Sequence, residues 1–365
     1  MSSLFQPFTL KSVTLRNRIA VSPMCQYMAQ DGVVNDWHHV HLTGLARGGS
    51  GLVIVEATAV SPEGRITPAC PGLWNDAQAE AFAPMVRAIK SAGAVPGIQI
   101  GHAGRKASAN RPWEGDDHLP SDDPRAWKTI APSAIPFGAN LPQVPQAMTQ
   151  ADIDRVRGDF VAAAQRALTA GFEWLVLHFA HGYLAQNFLS DHSNQRDDRY
   201  GGSFENRARF LKETLAAVRE VWPEHLPLTM RLGVIEFDGR DEETLQQSIG
   251  LIRDFKTAGL DFIDVSMGFS TPTAQIPWGP AFMAPVAARV RKETGLPATT
   301  SWFISQPKQA DALIRDGSVD VVMLGRPLLA EPHWPYRAAR ELEEENPAWV
   351  LPPSYAHWLS RYRSE

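Results

Sequence analysis

The segment AGFEWLVLHFAHG, residues 170–182, joins the end of a helical stretch, a glycine and an apolar strand. The glycine is a helix-stop signal, and the run WLVLHF lacks the alternation of a strand with one solvent face. The same pattern recurs as AGAVPGIQI at 92–100 and as AGLDFIDVS at 258–266. This repetition predicts parallel strands that are buried on both faces, each preceded by an amphipathic helix.

Working outward from these segments, eight strands and seven helices can be placed in alternation. The predicted strands are residues 18–24, 52–57, 95–104, 174–182, 228–233, 262–268, 296–302 and 319–327. The predicted helices are His39–Arg47, Asp76–Ser91, Asp152–Ala170, Glu205–Val221, Glu242–Ala258, Ala281–Glu293 and Pro307–Arg315. Strict alternation predicts a (β/α)8 TIM barrel. A doubly wound sheet is the alternative, but no GxGxxG follows a strand and no GxxxxGK[ST] occurs.

The length of 365 residues exceeds the roughly 250 of a simple barrel. We interpret residues 1–365 as one barrel domain with two additions. A Pro- and Asp-rich excursion at about 108–130 leaves the third strand and forms either a lid over the barrel mouth or a solvated decoration. An aromatic and basic C-terminal arm occupies about 350–365.

Composition narrows the class of protein. Lys plus Arg total 35 and Asp plus Glu total 40, so the net charge of −5 gives no support for a nucleic-acid partner. The two cysteines, Cys25 and Cys70, are far apart, which favours a reducing compartment. The N-terminus lacks the pattern of a signal peptide, and no apolar run is long enough for a membrane span. We therefore expect a cytoplasmic protein.

The densest group of polar side chains follows the fourth strand. His178, His181 and Tyr183 lie within one short segment, and side chains at strand ends converge on the mouth of a barrel. A metal site would need a third ligand, which the ends of the fifth and sixth strands do not offer. Three interpretations stay open: a metal-dependent hydrolase, two histidines satisfied by the backbone, or a pair that holds a substrate carbonyl beside a proton-donating tyrosine.

Two arginines indicate an anionic ligand. Gly325 and Arg326 follow the last strand, where barrels commonly bind phosphate. Glycine permits close approach of the backbone, and arginine can bind phosphate through two donors. Arg231 is also expected at the mouth, where a buried guanidinium needs a partner, such as an anionic or electron-rich ring.

These residues belong to longer segments that resemble the Old Yellow Enzyme family of FMN-dependent ene-reductases, in the bacterial branch whose active site carries a cysteine. The resemblance extends over almost the whole chain. Its most specific part is HxxHxY at His178–Tyr183 followed by RYGGSFENRARF at 199–210. The supporting segments are SPMCQY (22–27), DWHHVHL (36–42), EATAVSPEGR (56–65), QIGHAGRKA (99–107) and GRPLLAEPHW (325–334).

The resemblance implies an FMN site at the carboxyl ends of the strands. Gln99 would bind the pyrimidine edge, Arg231 would lie near N1 and the C2 carbonyl, and Gly325 and Arg326 would bind the phosphate. Cys25 would tune the redox potential. The full implied set of cofactor contacts is Ser22, Pro23, Met24, Cys25, Ala57, Gln99, His178, Arg231, Trp302, Gly325 and Arg326.

The resemblance also implies the reaction: reduction of α,β-unsaturated carbonyls, nitro compounds or nitrate esters, with NADPH or NADH as reductant. His178 and His181 would hold the carbonyl oxygen, with Tyr27 assisting, and Tyr183 would protonate Cα. A non-catalytic flavin or phosphate binder is a further alternative.

Two tryptophans complete the implied substrate pocket. Trp302 would form a wall of the pocket, and Trp358 would reach the site of a neighbouring subunit through the C-terminal arm. The protein would then be a homodimer or homotetramer.

The chain departs from the family pattern after the seventh strand. Phe303 and Ser305 occupy positions where the family usually has glycine. We therefore expect a looser hold on the FMN phosphate and weaker FMN retention.

Overall fold

The computed structural model describes residues 2–362 and contains a closed barrel of eight parallel strands. The barrel strands are buried along nearly their whole length, which explains their near-continuous apolar sequences. In chain order the strands are β1 (Phe8–Leu10), β2 (Val13–Leu15), β3 (Ile19–Val21), β4 (Leu52–Ala59), β5 (Val95–Gly101), β6 (Ile130–Ala131), β7 (Gln146–Ala147), β8 (Trp174–Phe179), β9 (Leu228–Ile235), β10 (Phe262–Met267), β11 (Ala298–Thr300) and β12 (Val321–Leu324).

The barrel runs in the order β3-β4-β5-β8-β9-β10-β11-β12 and closes where β12 pairs with β3. The predicted (β/α)8 fold is thus confirmed. β1 and β2 form an antiparallel hairpin ahead of the barrel, and β6 and β7 pair outside it.

The helices surround the barrel. They are α1 (Asp36–Arg47), α2 (Asp76–Ser91), α3 (Gln150–Ala170), α4 (Leu184–Leu189), α5 (Phe204–Val221), α6 (Asp241–Thr257), α7 (Ala284–Thr294), α8 (Pro307–Arg315), α9 (Arg326–Ala330), α10 (Trp334–Glu341) and α11 (Pro353–Leu359). The predicted bounds of α2 and α8 agree with the structure, and the other predicted helices differ from it by a few residues. Gly171 ends α3 with φ of 94°, as its helix-stop signal predicted.

The seventh and eighth barrel strands are shorter than predicted. β11 ends at Thr300, because the chain then turns outward with Trp302 and Phe303 at φ of 73° and 58°. β12 ends at Leu324, directly before Gly325. Residues assigned to strands from their apolar character therefore lie in the loops that line the mouth.

Two bulges interrupt the ladders on the mouth side. Between β4 and β5, the pairing passes from Val55 to Thr58, so Glu56 and Ala57 stand out of register. Between β9 and β10, the register shifts at Ser266 and Met267. Bulges re-aim the side chains beside them, and both of these are next to predicted site residues.

The excursion after β5 packs against the mouth. The buried Arg105, just ahead of the excursion, donates hydrogen bonds to the carbonyls of Ile135 and Pro136, which follow it, and of Ser270 in the loop after β10. The ring of Trp113 lies 5.9 Å from that of Tyr27.

The predicted arm carries helix α11, and its last residues, 363–365, lie outside the described part of the chain. Within residues 2–362, no helix has the length and apolar character needed to cross a membrane.

Candidate active site

Three side chains that leave β8 form a compact aromatic cluster. His178 is the penultimate residue of the strand, His181 has a φ of 63° in the turn that follows, and Tyr183 precedes α4. The ring centroids of His178 and His181 are 4.9 Å apart, and those of His178 and Tyr183 are 5.1 Å apart. The structure therefore brings together the three residues that the sequence analysis grouped.

Both imidazoles are neutral at ordinary pH. Burial lowers the pKa of His178 and of His181 well below the usual value, and the positive charges of Arg231 and Lys106 lower both further. Each ring then carries one N–H donor. The cluster can donate hydrogen bonds to an oxygen without carrying charge itself.

A short network fixes the orientation of His181. Its Nε2 lies 2.8 Å from the hydroxyl oxygen of Ser266, which also accepts a hydrogen bond of 3.2 Å from Trp302 Nε1. Because the indole is a donor only, the Ser266 hydroxyl can donate to Nε2 and leave the imidazole proton on Nδ1. His178 keeps its Nδ1 atom without a hydrogen-bond partner in the described chain.

The two tyrosines of the site are held in the protonated form. Burial raises the pKa of Tyr183 above its usual value, and the same cause raises the pKa of Tyr27. Tyr183 can therefore act as a proton donor throughout the physiological range. Tyr27 lies on the segment after β3, and its φ is 54°.

Lys106 stabilises the turn that carries His181. Its Nζ atom donates hydrogen bonds of 2.8 Å to the carbonyl oxygens of His181 and Phe269. The ammonium also lies 4.1 Å from the centroid of the Phe137 ring. Burial, followed by the charge of Arg105, lowers the pKa of Lys106 to about 7.

Arg231 projects from β9 into the mouth, and Asp264 of β10 is its partner. Arg231 Nε lies 3.1 Å from Asp264 Oδ2, and a terminal nitrogen donates a 2.7 Å hydrogen bond to Ser301. Burial raises the pKa of Asp264 to about 6, although Arg231 opposes this. Within the described chain, Arg231 Nε and both Asp264 oxygens make no well-directed hydrogen bond. The charge of Arg231 is thus balanced by Asp264, while its Nε–H stays available as a hydrogen-bond donor.

A cavity of about 640 Å³ opens beside this cluster. The loops after β3, β11 and β12 line it, together with Arg231 and His181. Its lining includes most of the predicted cofactor contacts: Ser22, Pro23, Met24, Cys25, Arg231, Trp302, Gly325 and Arg326.

The remaining predicted residues lie elsewhere. Ala57, His178 and Tyr183 line a small adjoining cleft. Gln99 is buried on β5, and its amide nitrogen has no partner in the part of the chain that the structure describes. Trp358 is 69% exposed on α11 and does not line the cavity.

The surroundings of the two histidines do not resemble a metal site. Across residues 2–362, no three His, Cys, Asp or Glu side chains are placed to hold a metal ion together. Arg231 is the charge that most lowers the pKa of both His178 and His181, and positive charge disfavours a bound cation. The metal-dependent hydrolase is therefore not favoured.

The sequence analysis missed Lys106, Asp264 and Ser266 as parts of the site. Lys106 lies within the segment QIGHAGRKA, two residues after Gly104. The sequence places it near the mouth but does not indicate where its side chain points. Asp264 is the one charged residue inside the apolar strand FIDVSM, and that burial was an available signal.

Comparison with known proteins identifies relatives along nearly the full chain. Residues 3–345 match the profile of the NADH:flavin oxidoreductase / NADH oxidase family. An NADPH dehydrogenase from Geobacillus thermodenitrificans is 42% identical over 341 residues, which span 93% of this chain and 94% of that protein. An NADPH dehydrogenase from Clostridium acetobutylicum is 37% identical over 338 residues, 92% of this chain and 94% of the relative.

Solved structures agree with these matches. Morphinone reductase in complex with tetrahydroNAD superposes with a TM-score of 0.77 at 28% identity, over 93% of this chain and 91% of that one. An Old Yellow Enzyme homologue from Zymomonas mobilis gives a TM-score of 0.76 at 28% identity, over 93% of each chain.

The lowered pKa of Lys106 predicts a pH-dependent stability. Below about pH 7 the lysine is charged in both the folded and the unfolded chain, and the fold bears the full cost of burying the charge. Between about pH 7 and 10 the unfolded chain binds the additional proton, so stability rises with pH. We expect the free energy of unfolding of the wild type, relative to Lys106→Met, to be larger at pH 9.5 than at pH 6.5 in urea titrations.

The exposed Lys128 provides the matched control. Lys128→Met should differ from the wild type by the same amount at both pH values. A pH-independent difference for Lys106→Met would contradict the assignment.

Proposed function

The chain belongs to the NADH:flavin oxidoreductase / NADH oxidase family, and on that premise we propose that it reduces the activated C=C bond of α,β-unsaturated carbonyl compounds. It is an FMN-dependent oxidoreductase that takes its electrons from NADPH or NADH. Nitro compounds and nitrate esters are secondary substrates in this proposal. The observation that carries it is the pair of neutral imidazoles beside Tyr183, next to a cavity that fits a flavin.

The cavity and its surroundings fit FMN. The cavity volume of about 640 Å³ is within the range for cofactor sites. Arg231 lines the cavity with a spare donor, and Gln99, on β5 outside the lining, has an unpartnered amide nitrogen. A ring with carbonyl and nitrogen acceptors would satisfy such buried donors. We assign the phosphate to Gly325 and Arg326, and the flavin face to the segment Ser22–Cys25 and Ala57.

FMN supplies hydride transfer when it is bound, from the nicotinamide to the β carbon of the substrate. Arg231, in the lining of the cavity, would place a positive charge beside the bound flavin, and such preorganised charge needs no rearrangement at the moment of reaction. Asp264 holds the guanidinium of Arg231 in place through its carboxylate. Cys25, in the lining of the same cavity, would tune the potential by contact.

His178 and His181 act on the carbonyl of the substrate. Their N–H donors would hold the carbonyl oxygen and stabilise the negative charge that develops on it as hydride arrives at Cβ. Removal of one such donor typically costs about 2.7–4 kcal/mol of transition-state stabilisation. Tyr27 approaches from the segment after β3 as a third donor.

Tyr183 completes the reduction by giving its proton to Cα. The C=C bond becomes a single bond, with hydride added at Cβ and the proton at Cα, while the nicotinamide is oxidised. Its raised pKa keeps the phenol protonated until the enolate forms, and water then restores the proton. Trp302 and its aromatic neighbours Phe269 and Trp278 form a wall suited to flat, conjugated molecules.

The deciding experiment separates the two half-reactions. Under anaerobic conditions, NADPH should bleach the flavin absorbance, and 2-cyclohexenone should restore it with formation of cyclohexanone. Reduction by NADPH without reoxidation by enones would contradict the proposed substrate class. Flavin that neither nicotinamide reduces would favour a non-catalytic binder.

We further propose that the protein is a cytoplasmic homodimer or homotetramer. Both cysteines, Cys25 and Cys70, are unpaired, which suits a reducing compartment. On α11, Trp358 is mostly exposed, which supports a role against a second subunit. In this arrangement Trp358 completes the substrate pocket of the neighbour.

Replacement of both imidazoles tests the carbonyl clamp. We expect His178→Leu with His181→Leu to slow reoxidation by 2-cyclohexenone at least a hundredfold, because leucine has no donor and two aimed donors are lost. Flavin reduction by NADPH should change far less. Stopped-flow absorbance measures both rates, and His225→Leu, at an exposed position, is the control. Equal slowing of both half-reactions would argue against the clamp.

The backbone at Phe303 predicts weak retention of FMN. Phe303 lines the cavity together with Gly325 and Arg326, at a position where the family usually has glycine. Its side chain would limit the approach of the backbone to the phosphate, so Phe303→Gly should bind FMN several-fold more tightly, as measured by quenching of flavin fluorescence. Ala139→Gly replaces a residue of the same left-handed conformation that does not line the cavity, and it should leave FMN affinity unchanged. Full and tight FMN occupancy in the wild type would contradict the expectation.

The arm is tested by truncation. A chain that ends at Ser354 lacks most of α11 and should change its selectivity among enones of different size, since Trp358 would no longer reach the neighbouring pocket. Steady-state kinetics on a substrate panel and sedimentation velocity report the two effects. Unchanged kinetics would reject the role of the arm.

A further inference from the structure

Glu56 is a buried acid on the mouth side of the barrel to which no step above gives a role. Its side chain is 2% exposed, although it belongs to the apolar strand β4. It stands at the bulge where the β4–β5 ladder loses register. A buried carboxylate is costly unless it is hydrogen-bonded, so its surroundings indicate its purpose.

The Glu56 carboxyl is surrounded by N–H donors. The backbone N–H of Gln26 donates to Oε2 at 2.8 Å, and the backbone of Tyr27 interacts favourably with the same carboxylate. On the other side, Oε1 lies 3.5 Å from Nε2 of His38 on α1.

The protonation of His38 is set by its other ring nitrogen. The backbone N–H of Asn35 donates to Nδ1 at 3.2 Å as part of the capping box of α1. Burial lowers the pKa of His38 to about 4, so the ring is neutral and its one proton lies on Nε2, toward Glu56. Glu56 thus accepts from the backbone N–H groups of Gln26 and Tyr27, and it faces Nε2 of the neutral His38 ring, which makes no well-directed hydrogen bond. Burial raises the pKa of Glu56 to about 8, and the two backbone N–H groups oppose this rise.

The segment that these contacts hold is strained. Tyr27 has φ of 54°, a left-handed conformation that is unfavourable for a tyrosine and persists only where its surroundings impose it. The bulge at Glu56 and Ala57 directs the carboxyl beneath this turn, and Ala57 contacts Cys25 through its backbone. The acid therefore fixes the backbone between the proposed flavin contact and the proposed substrate contact.

We propose that Glu56 is a positioning residue that holds the turn Cys25–Tyr27 in its left-handed conformation and so aims the Tyr27 phenol at the substrate. His38 supports the carboxyl from α1. The inference rests on the proposed function, in which Tyr27 donates to the carbonyl oxygen of the substrate. Glu56 itself contacts neither substrate nor cofactor.

The electrostatics agree with this geometry. Burial raises the pKa of the Cys25 thiol well above its usual value, and the Glu56 carboxyl raises it further. Glu56 thereby helps to keep Cys25 as a thiol beside the proposed flavin site, while its oxygens hold the backbone on either side of Gln26.

Glu56→Gln is a sharp test, because glutamine keeps the shape but replaces one acceptor oxygen with a donor. One of the N–H groups from which the ionised acid accepts would then face an NH₂ group. The measurement is the Kd of holoenzyme for 4-hydroxybenzaldehyde, a flat phenol, from the change in flavin absorbance at pH 9, where an acid with a pKa of about 8 is mostly ionised. We expect about a tenfold weaker Kd for Glu56→Gln.

A double-mutant cycle shows whether the effect passes through Tyr27. In the Tyr27→Phe background, Glu56→Gln should change the Kd less than twofold, because the phenol that Glu56 positions is already absent. An undiminished effect in that background would overturn the proposal.

Asp311 gives the matched control for a purely structural loss. It is also a buried acid, and its Oδ1 accepts a 3.0 Å hydrogen bond from the backbone of Leu4, far from the mouth. Asp311→Asn should lower the Tm but leave the Kd unchanged. If Glu56→Gln also lowers the Tm and leaves the Kd unchanged, the role of Glu56 is structural only and the proposal is overturned.

The remaining outcomes are also decisive. If Glu56→Gln does not fold, Glu56→Asp replaces it under the same criteria, since it keeps the charge and withdraws the oxygens from the turn. If the wild type fails to bind the phenol, the proposed function fails. If the wild type binds it and neither Glu56 variant weakens binding, only the positioning role fails.

Discussion

The constraint on which the rest of the structure depends is the closure of eight parallel strands into a ring. Closure leaves no free edge, and parallel direction brings all eight carboxyl ends to one mouth. Arg231, His178 and Gly325 are far apart in sequence but meet there for this reason alone. The two bulges that disturb the ladders lie at this mouth, where exact pairing gives way to the placement of Glu56 and Ser266.

Charge at the mouth is divided unevenly among its members. The groups that would contact the substrate, His178, His181 and Tyr183, are all uncharged, and burial keeps them so. The basic groups nearby are Arg231, which contacts a carboxylate, and Lys106, which contacts two backbone carbonyls and has a pKa lowered to about 7. Neutral donors can stabilise the negative charge that would develop on the substrate. They would form no ion pair that holds the substrate or slows release of the product.

The fold could be predicted from the sequence because the strand and helix signals repeat and agree with one another. The site could be predicted only in part. Residues that directly follow strands, such as His178 and Gly325, are placed by the fold itself. Asp264 and Ser266 reach the site through the register between neighbouring strands, and Lys106 reaches it through the fold-back of a loop. These depend on tertiary packing, which a pattern along the chain does not carry.

The closing pair of the barrel joins β3 and β12, with Ile19 opposite Val322. A ribosome must therefore release most of the chain before the ring can form, and the edge of β3 stays without its last neighbour during that time. A premature stop before β12 would leave two open strand edges available for aggregation, so a short strand near the end of the chain protects strands made long before it.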